Sequence, residues 1–375
     1  MIVGIDLGTT NSLVAFINRE GRPEIIINER GNRLTPSVVY FKNDREVMVG
    51  ELARSQLILK ADRTVSCIKR YIGSDYQVNV SERSYTPTEV SALILRKLVQ
   101  YAEKSLGKTI EAAVVTVPAY FNDNQRQATL MAGEMAGLKI LKLINEPTAA
   151  ALAYSSELDK QEHILVLDIG GGTFDITLME YEDKVCRVLS SGGTSTLGGV
   201  DFDSRLVDFI LRTFQESSGL DLSNDPLALQ QIQINAEKAK VDLSTVNECS
   251  VLIPYITMGS TGPVHLNQVI SREQFNHLCL DLSNEIGEIK IMTGINPDEV
   301  VVMGAAMEAG MLSGKVDYVE LHDVTSHTLG IEDDQGEFVS LIPANTSYPV
   351  IKSQLFTTVQ DQKKRTSQKN GSGKK

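Results

Sequence analysis

Two stretches of the chain share one pattern, and this repeat restricts the fold more than any other feature of the 375 residues. Each has an apolar strand that ends in Asp, a turn rich in Gly and Thr, and then a second apolar strand. The two aspartates, Asp6 and Asp168, lie 162 positions apart (168 minus 6), which indicates a duplicated lobe. Glycines let a turn present several N–H groups to an anion, and an Asp can hold a metal through water, so both turns suit phosphate binding. Taken singly, either turn is more often an ordinary hairpin.

Composition excludes several classes of function. The formal net charge of -12 argues against unspecific binding to nucleic acid or anionic membrane, which depends on Lys and Arg. Four cysteines, Cys67, Cys186, Cys249 and Cys279, show neither CxxC spacing nor nearby His, so we expect free thiols without zinc. Met1 leads directly into a strand, and no apolar run has the length of a membrane span. We therefore expect a cytoplasmic protein.

Strand-like and helical segments alternate along the chain, which is typical of α/β layering. Thr86-Pro87 opens a predicted helix through Leu106, which Gly107 closes. Asn224-Asp225-Pro226 opens another through Lys240, and Asn296-Pro297 opens a third through Met311. The last residues are rich in Gly, Ser and Lys and are predicted to be disordered.

Four segments resemble signatures of the DnaK-type chaperones, the heat-shock protein 70 family. They are Ile5–Ser12, Val117–Asp123, Ile144–Ala151 and Asp168–Asp175, and actins and sugar kinases do not share them together. The resemblance implies an α/β fold, namely an actin-like ATPase with duplicated ribonuclease-H-like lobes, followed by a fragment of a β-sandwich. It also implies ATP or ADP with Mg²⁺ as cofactors.

The resemblance assigns roles to individual residues. Asp6 and Asp168 would hold Mg²⁺ through water, with Asp175 beside them, and Lys69 would reach the terminal phosphates. Glu146 would orient or deprotonate the attacking water. The alternatives are a surface ion pair for Lys69, a helix cap for Glu146, and a solvated helix face for Arg126, which otherwise resembles a relay to the linker. The remaining predicted site residues are Gly8, Thr9, Thr10, Asn11, Gly170, Gly171, Gly172, Thr173, Ser195, Gly198, Gly199, Glu237, Lys240, Ser244, Asp298 and Gly304.

The chain departs from the family pattern in the second lobe. Between Ile270 and Pro297 it lacks the strand and glycine turn with which the family cradles adenosine, so affinity should fall and apolar neighbours of the missing strand should be exposed. Val241 stands where many members place a stacking Arg. Glu320 interrupts the apolar linker, and its desolvation should weaken docking.

These observations predict a nucleotide-binding domain over 1–315, with lobes of about 1–163 and 164–315. A linker over 316–323, a partial peptide-binding β-domain over 324–360 and a tail over 361–375 follow. The predicted function is an ATP-dependent chaperone that hydrolyses ATP slowly and works with a J-domain co-chaperone, a nucleotide exchange factor and unfolded polypeptide. The alternative is a degenerate module that binds co-chaperones without efficient turnover. A sugar kinase or an actin-like filament is the third reading.

Overall fold

The computed structural model describes residues 1–43, 46–80, 83–154, 162–260, 262–286, 296–333 and 336–353. The first lobe contains β1 (Ile2–Asp6), β2 (Asn11–Ile17), β3 (Pro23–Ile25), β4 (Thr35–Pro36), β5 (Val39–Phe41), β6 (Val47–Val49), α1 (Glu51–Arg54), β7 (Thr64–Val65), β8 (Val78–Val80), β9 (Arg83–Tyr85), α2 (Pro87–Leu106), β10 (Ala112–Val117), α3 (Asp123–Met135), β11 (Lys139–Asn145) and α4 (Glu146–Tyr154), with 3-10 turns at Ala61–Arg63 and Ile68–Tyr71.

The first-lobe sheet has the strand order β11-β10-β1-β2-β3, with β4 paired to β2. Strand β1 is parallel to β10 and antiparallel to β2, so the turn after Asp6 lies at the carboxyl end of the central strand. Val3 and Ile5 are fully buried in a core formed with α2 and α3. The predicted helix at Thr86-Pro87 is confirmed, because Thr86 and Glu89 form a capping box and Gly107 closes α2 in the left-handed conformation.

The second lobe begins with a strand that places Asp168 near its carboxyl end, as β1 places Asp6. The elements from there on are β12 (Glu162–Ile169), β13 (Phe174–Glu182), β14 (Val185–Thr194), α5 (Gly199–Ser218), α6 (Pro226–Leu243), β15 (Glu248–Gly259), β16 (Gly262–Ser271), α7 (Arg272–Leu278), α8 (Leu280–Ile286), α9 (Pro297–Leu312), β17 (Glu320–Val324), β18 (Leu329–Glu332), β19 (Phe338–Ile342) and β20 (Ser347–Tyr348).

The second-lobe sheet has the order β12-β13-β14-β17-β20. Helices α5 and α6 form a separate core with the β15–β16 hairpin. Both α6 and α9 begin where the sequence predicts, with Asp225 and Asn296 accepting backbone N–H groups as N-caps. Helix α9 crosses back onto the first lobe, where a side chain on Gly4 of β1 would lie 2.2 Å from the backbone nitrogen of Ala306.

The described residues cover the second-lobe sheet on one face only. Ile164 and Val166 of β12 pack against α4 and α9, whereas the alternate residues Leu165 and Ile169 are 49% and 48% exposed. Among the described residues, no strand pairs with the outer edge of β12. The sequence predicted that apolar side chains of the second lobe would be exposed, and Leu165 and Ile169 are exposed in this way. The interval in which the sequence predicts a missing strand includes residues 287–295, which lie outside the described residues.

The other expectations from composition concern membranes and thiols. Within the described ranges, no helix is both long and apolar enough to cross a bilayer. All four cysteines are free thiols, as predicted; Cys186 and Cys279 are buried, and Cys67 and Cys249 are half-buried.

Candidate functional site

The two predicted phosphate turns face each other. A side-chain carbon added to Gly171 would lie 2.1 Å from the Thr10 hydroxyl oxygen, and one added to Gly172 would lie 3.0 Å from the Thr9 methyl carbon. A third loop joins them, since a side chain on Gly198 would lie 2.5 Å from the backbone nitrogen of Gly172. Only glycine permits this approach of the two backbones, so the two lobes meet at their turns.

A buried ion pair lies beneath the turns. The Nζ atom of Lys69 is 2.6 Å from the Glu146 Oε1 atom, and the two side chains are only 6% and 8% exposed. Lys69 is held by the 3-10 turn after β7, and Glu146 is the first residue of α4, directly after β11. The surface ion pair proposed as an alternative for Lys69 is therefore wrong. Glu146 does occupy the first turn of a helix, but its carboxylate points to Lys69.

Three aspartates surround this pair. The Thr116 hydroxyl donates to Asp6 Oδ1 at 2.8 Å, and the Tyr120 backbone N–H donates to Asp175 Oδ1 at 2.9 Å. Asp168 is paired with Asp175 across the β12–β13 ladder. The Coulombic interactions of Asp168 with Asp6, Asp175 and Lys69 place all of these groups in one electrostatic cluster.

Burial dominates the protonation of the cluster. It raises the pKa of Asp168 to about 7, with repulsion from Asp175 and Asp6 adding to the effect. It also raises the pKa of Asp175 to about 7, with the Glu146 charge as the next cause. For Lys69, burial alone would lower the pKa, but the Glu146 and Asp6 carboxylates outweigh it and raise the pKa. The cluster therefore carries more carboxylates than its one lysine neutralises.

An excess of buried carboxylate fits a cation. Asp175 Oδ2 is buried and has no hydrogen-bond partner, which costs free energy unless a bound group or water satisfies it. In the described part of the chain, no three His, Cys, Asp or Glu side chains converge closely enough to ligate a metal directly. The residues therefore fit a hydrated cation, held through water and phosphate oxygens, better than a cage of protein ligands.

The side chains predicted for the nucleoside lie on α6 and at its C-cap, and each has a protein partner. Glu237 accepts two hydrogen bonds from Nη2 of Arg54, a first-lobe residue, at 3.1 and 3.0 Å. Lys240 donates to the Gly199 carbonyl at 2.9 Å and lies 2.8 Å from Asp203. Ser244 donates to the Val241 carbonyl at 2.6 Å. Lys240 thus supports the third loop, while Glu237 closes the top of the cleft.

Other predicted residues have less direct connections to the cluster. Gly8 forms the tight turn into β2, because an added carbon would lie 2.0 Å from the Asn11 carbonyl oxygen. Ser195 lies half-buried in the turn after β14. Gly304 has a packing explanation, since a side chain there would lie 1.7 Å from the Ala149 carbonyl oxygen of α4. The first turn of α9 exposes Asp298, whose N–H donates to the cap Asn296.

Sequence reasoning missed the ion pairs that join the lobes. Arg70 donates to Asp201 Oδ1 at 3.0 Å and to the Thr196 carbonyl at 3.3 Å, across 131 and 126 positions of sequence. Arg54 reaches Glu237 across 183 positions. The only local signal for Arg70 is its place beside Lys69, and Arg54 has none.

A second polar network leads from the cluster to the linker. Arg126 donates to the carbonyls of Ala119 and Phe121 and to Asn145 Oδ1, so the solvated face considered for it is wrong. Asn145 and Thr148 both donate to the buried carboxylate of Asp323 at 2.9 Å.

The linker docks as a strand. Its residues 320–322 pair in parallel with β14, although Glu320 was expected to resist this. The carboxylate of Glu320 remains 52% exposed and contacts His322 at 2.8 Å, so docking does not desolvate it. The strand directs this side chain away from the core, so the desolvation that was expected to weaken docking does not occur, and the strength of docking stays a prediction.

The fold and the site together define a class of nucleotide-binding protein. Two sheet-based lobes, joined at paired Asp-Gly-Thr turns above a buried lysine and carboxylate cluster, form the architecture of the actin-like nucleotide-binding proteins. The family described as Hsp70 protein matches residues 2–83, 75–290 and 284–373. The chain therefore belongs to the Hsp70 family, whose members are ATP-binding chaperones that assist protein folding.

The three matched ranges overlap at two places along the chain. The overlap over 284–290 falls within the interval from Ile270 to Pro297, where the sequence predicts that the adenosine strand is missing. The overlap over 75–83 falls at the β8–β9 hairpin.

Proposed function

We propose that this Hsp70 protein acts in the manner of the DnaK-type chaperones, binding ATP with Mg²⁺ between its lobes and hydrolysing it slowly. The observation that supports this most is the cluster of four carboxylates, of which Glu146 and Asp175 are buried, and one buried lysine beneath two facing glycine turns. Such a cluster has an unsatisfied acceptor in Asp175 and raised pKa values at Asp168 and Asp175, as expected of a site built for a charged ligand.

Each residue of the cluster has a separate role in the proposal. Asp6 and Asp168 hold the water shell of Mg²⁺, which supplies charge compensation for the phosphates when bound. Lys69 binds terminal phosphate oxygens, for which it must turn from Glu146, 2.6 Å away. Freed in this way, the Glu146 carboxylate orients a water or accepts its proton. Asp175, fixed by the Tyr120 N–H, adds negative charge beside that water.

The turns supply the phosphate contacts. The turns over 8–11 and 170–173 lie against each other at the lobe interface, where their backbone N–H groups and the hydroxyls of Thr9, Thr10 and Thr173 serve as phosphate donors. Gly198 and Gly199 extend the cradle, and Ser195 serves the outermost phosphate side. Glu237, Lys240 and Ser244 contact the nucleoside from α6 and its C-cap, with one Glu237 carboxylate oxygen on the nucleoside and the other still bonded to Arg54. Gly304 and Asp298 stay predictions as nucleotide contacts.

The same proposal covers partners and setting. A J-domain co-chaperone and a nucleotide exchange factor regulate the cycle, in the cytoplasm and as part of a stress response. The surface over 142–145 is the predicted co-chaperone contact, and Lys142 there is paired with Glu308 at 2.6 Å. Client binding has less support, since the described β-domain comprises only the β18–β19 hairpin and β20, which pairs with β17.

The test is phosphate release by the wild type and by Glu146→Ala, with ATP and Mg²⁺ in excess. We expect slow release from the wild type and loss of that release in the variant. The exposed Glu248→Ala on β15 is the matched control and should keep wild-type release. Equal release from the wild type and Glu146→Ala would reject turnover at this site.

A co-chaperone-binding module without efficient turnover is the second candidate. It is favoured by the interval from Ile270 to Pro297, where the described residues supply two short helices and no strand to face α6. Val241, at 59% exposure, also offers no stacking surface of the kind an Arg would give. Retained J-domain binding together with background phosphate release would support this candidate.

A further inference from the structure

The exposed face of the second-lobe sheet is an apolar surface without a partner in the described chain. The pairing of β12, β13 and β14 places aliphatic side chains of all three strands on this face. Five of these residues have an exposed fraction between 36% and 49%. A contiguous apolar face of this kind marks a surface that something covers. We define it as the aliphatic face, with the residues Leu165, Leu167, Ile169, Ile176, Leu178 and Leu189.

One end of this sheet is acidic. Strand β12 begins at Glu162, β13 ends at Glu182, and β17 begins at Glu320, and strand pairing brings these three positions to the same end. Glu162 and Glu320 are exposed. A segment that covers the aliphatic face and carries positive charge would therefore find carboxylates at its rim.

The chain itself contains such a segment beyond Ser353. Residues 354–375 hold the apolar run Leu355-Phe356-Thr357-Thr358-Val359, followed by Lys363-Lys364-Arg365. They carry six Lys or Arg and one Asp, which gives the segment a net charge of +5. Because the whole chain has a net charge of -12, residues 1–353 have a net charge of -17 (-12 minus 5). The segment is therefore complementary to the rest of the chain in charge as well as in apolar character.

The segment is also long enough to reach the aliphatic face from the end of the described chain. Strand β20 is antiparallel to β17, with Tyr348 opposite Asp323, and therefore runs toward the acidic end of the sheet. The sheet order β12-β13-β14-β17-β20 has four strand intervals, a width of about 19 Å. Twenty-two residues reach roughly 70 Å when extended. The length allows the segment to cross the whole face and return.

We propose that residues 354–375 fold back over the aliphatic face and shield it, with Lys363, Lys364 and Arg365 placed at the rim carboxylates. This segment would then take the place of the covering layer that the first-lobe sheet has in α2 and α3. Its role is to keep an otherwise sticky sheet from aggregating.

Photocrosslinking in the full chain tests the placement. Phe356 is replaced by the photoreactive analogue benzoylphenylalanine, which preserves an aromatic ring at this position. We expect crosslinks within one molecule to peptides of β12, β13 or β14, severalfold above those from the same probe at Ser372. The yield should fall at high salt and in Glu162→Lys/Glu320→Lys, because exposed charges are screened.

A second measurement asks whether the face is shielded. Binding of an apolar fluorescent dye should rise in Phe356→Asp/Val359→Asp and stay at the wild-type level in Thr366→Asp/Ser367→Asp, which adds the same charge outside the apolar run. Crosslinks to the β18–β19 hairpin, crosslinks between two molecules at doubled mass, or a yield no higher than that of the Ser372 probe would each overturn the proposal. So would equal dye binding by all three proteins.

Discussion

Replacing Asp175 by Asn should make the protein more stable at neutral pH, although the side chain lies in the candidate site. Asp175 is fully buried, and burial raises its pKa from 3.8 to about 7. The folded chain then holds a proton that the unfolded chain has released between about pH 4 and about pH 7, so stability falls as pH rises through that window. An Asn does not titrate and escapes this loss.

The magnitude follows from the same values. Each pKa unit corresponds to about 1.36 kcal/mol, so a shift of about three units is worth on the order of 4 kcal/mol above pH 7. The Asn amide would leave a donor unsatisfied where Asp175 Oδ2 has no partner, a cost of about 1–3 kcal/mol that does not depend on pH. The difference in unfolding free energy between variant and wild type should therefore rise by about 3 kcal/mol from pH 5 to pH 8.

Urea unfolding at several pH values measures this difference directly. The exposed Asp208→Asn on α5 serves as the control, and its difference from the wild type should stay flat. A flat difference for Asp175→Asn as well would refute the reasoning, because Asp175 could then not be held protonated by its surroundings. Added Mg²⁺ and ATP should reduce the advantage of the variant, since they compensate the wild-type charge.

Three further outcomes follow from single contacts. A double-mutant cycle in urea on Lys69→Met and Glu146→Gln should show coupling of several kcal/mol, because either single change strands a buried charge; additive effects would contradict the pair. Arg54→Ala breaks a largely exposed bridge, so the unfolding free energy should change by less than about 1 kcal/mol while labelled nucleotide dissociates faster, and unchanged dissociation would contradict its closing role. Gly304→Ala should lower the unfolding free energy by about 1–3 kcal/mol, since the methyl carbon would lie 1.7 Å from a backbone oxygen of α4; wild-type stability would contradict the packing role.

Local signals predicted much of the fold. The helix starts at Pro87, Pro226 and Pro297 follow from Asn, Asp or Thr caps next to Pro, which act within one turn and can be read from neighbouring residues. The facing turns followed from their duplication, because two copies of a lobe bring equivalent turns to one cleft.

Contacts between distant segments could not be predicted in this way. The partners of Arg54 and Arg70 lie more than 100 positions away, and exposed Arg residues have no pattern that selects one carboxylate from many. The desolvation expected for Glu320 does not occur, because the charge of a residue does not reveal the direction of its side chain. A strand alternates its side chains between two faces, and this one leaves the carboxylate in solvent.

Isothermal titration of the full chain with ATP and Mg²⁺ tests the central claim, that the paired turns and the cluster beneath them bind a triphosphate. We predict saturable binding of one nucleotide per chain, weakened by Gly171→Val, whose side chain would meet the Thr10 hydroxyl between the turns. No binding at millimolar ATP would contradict the account.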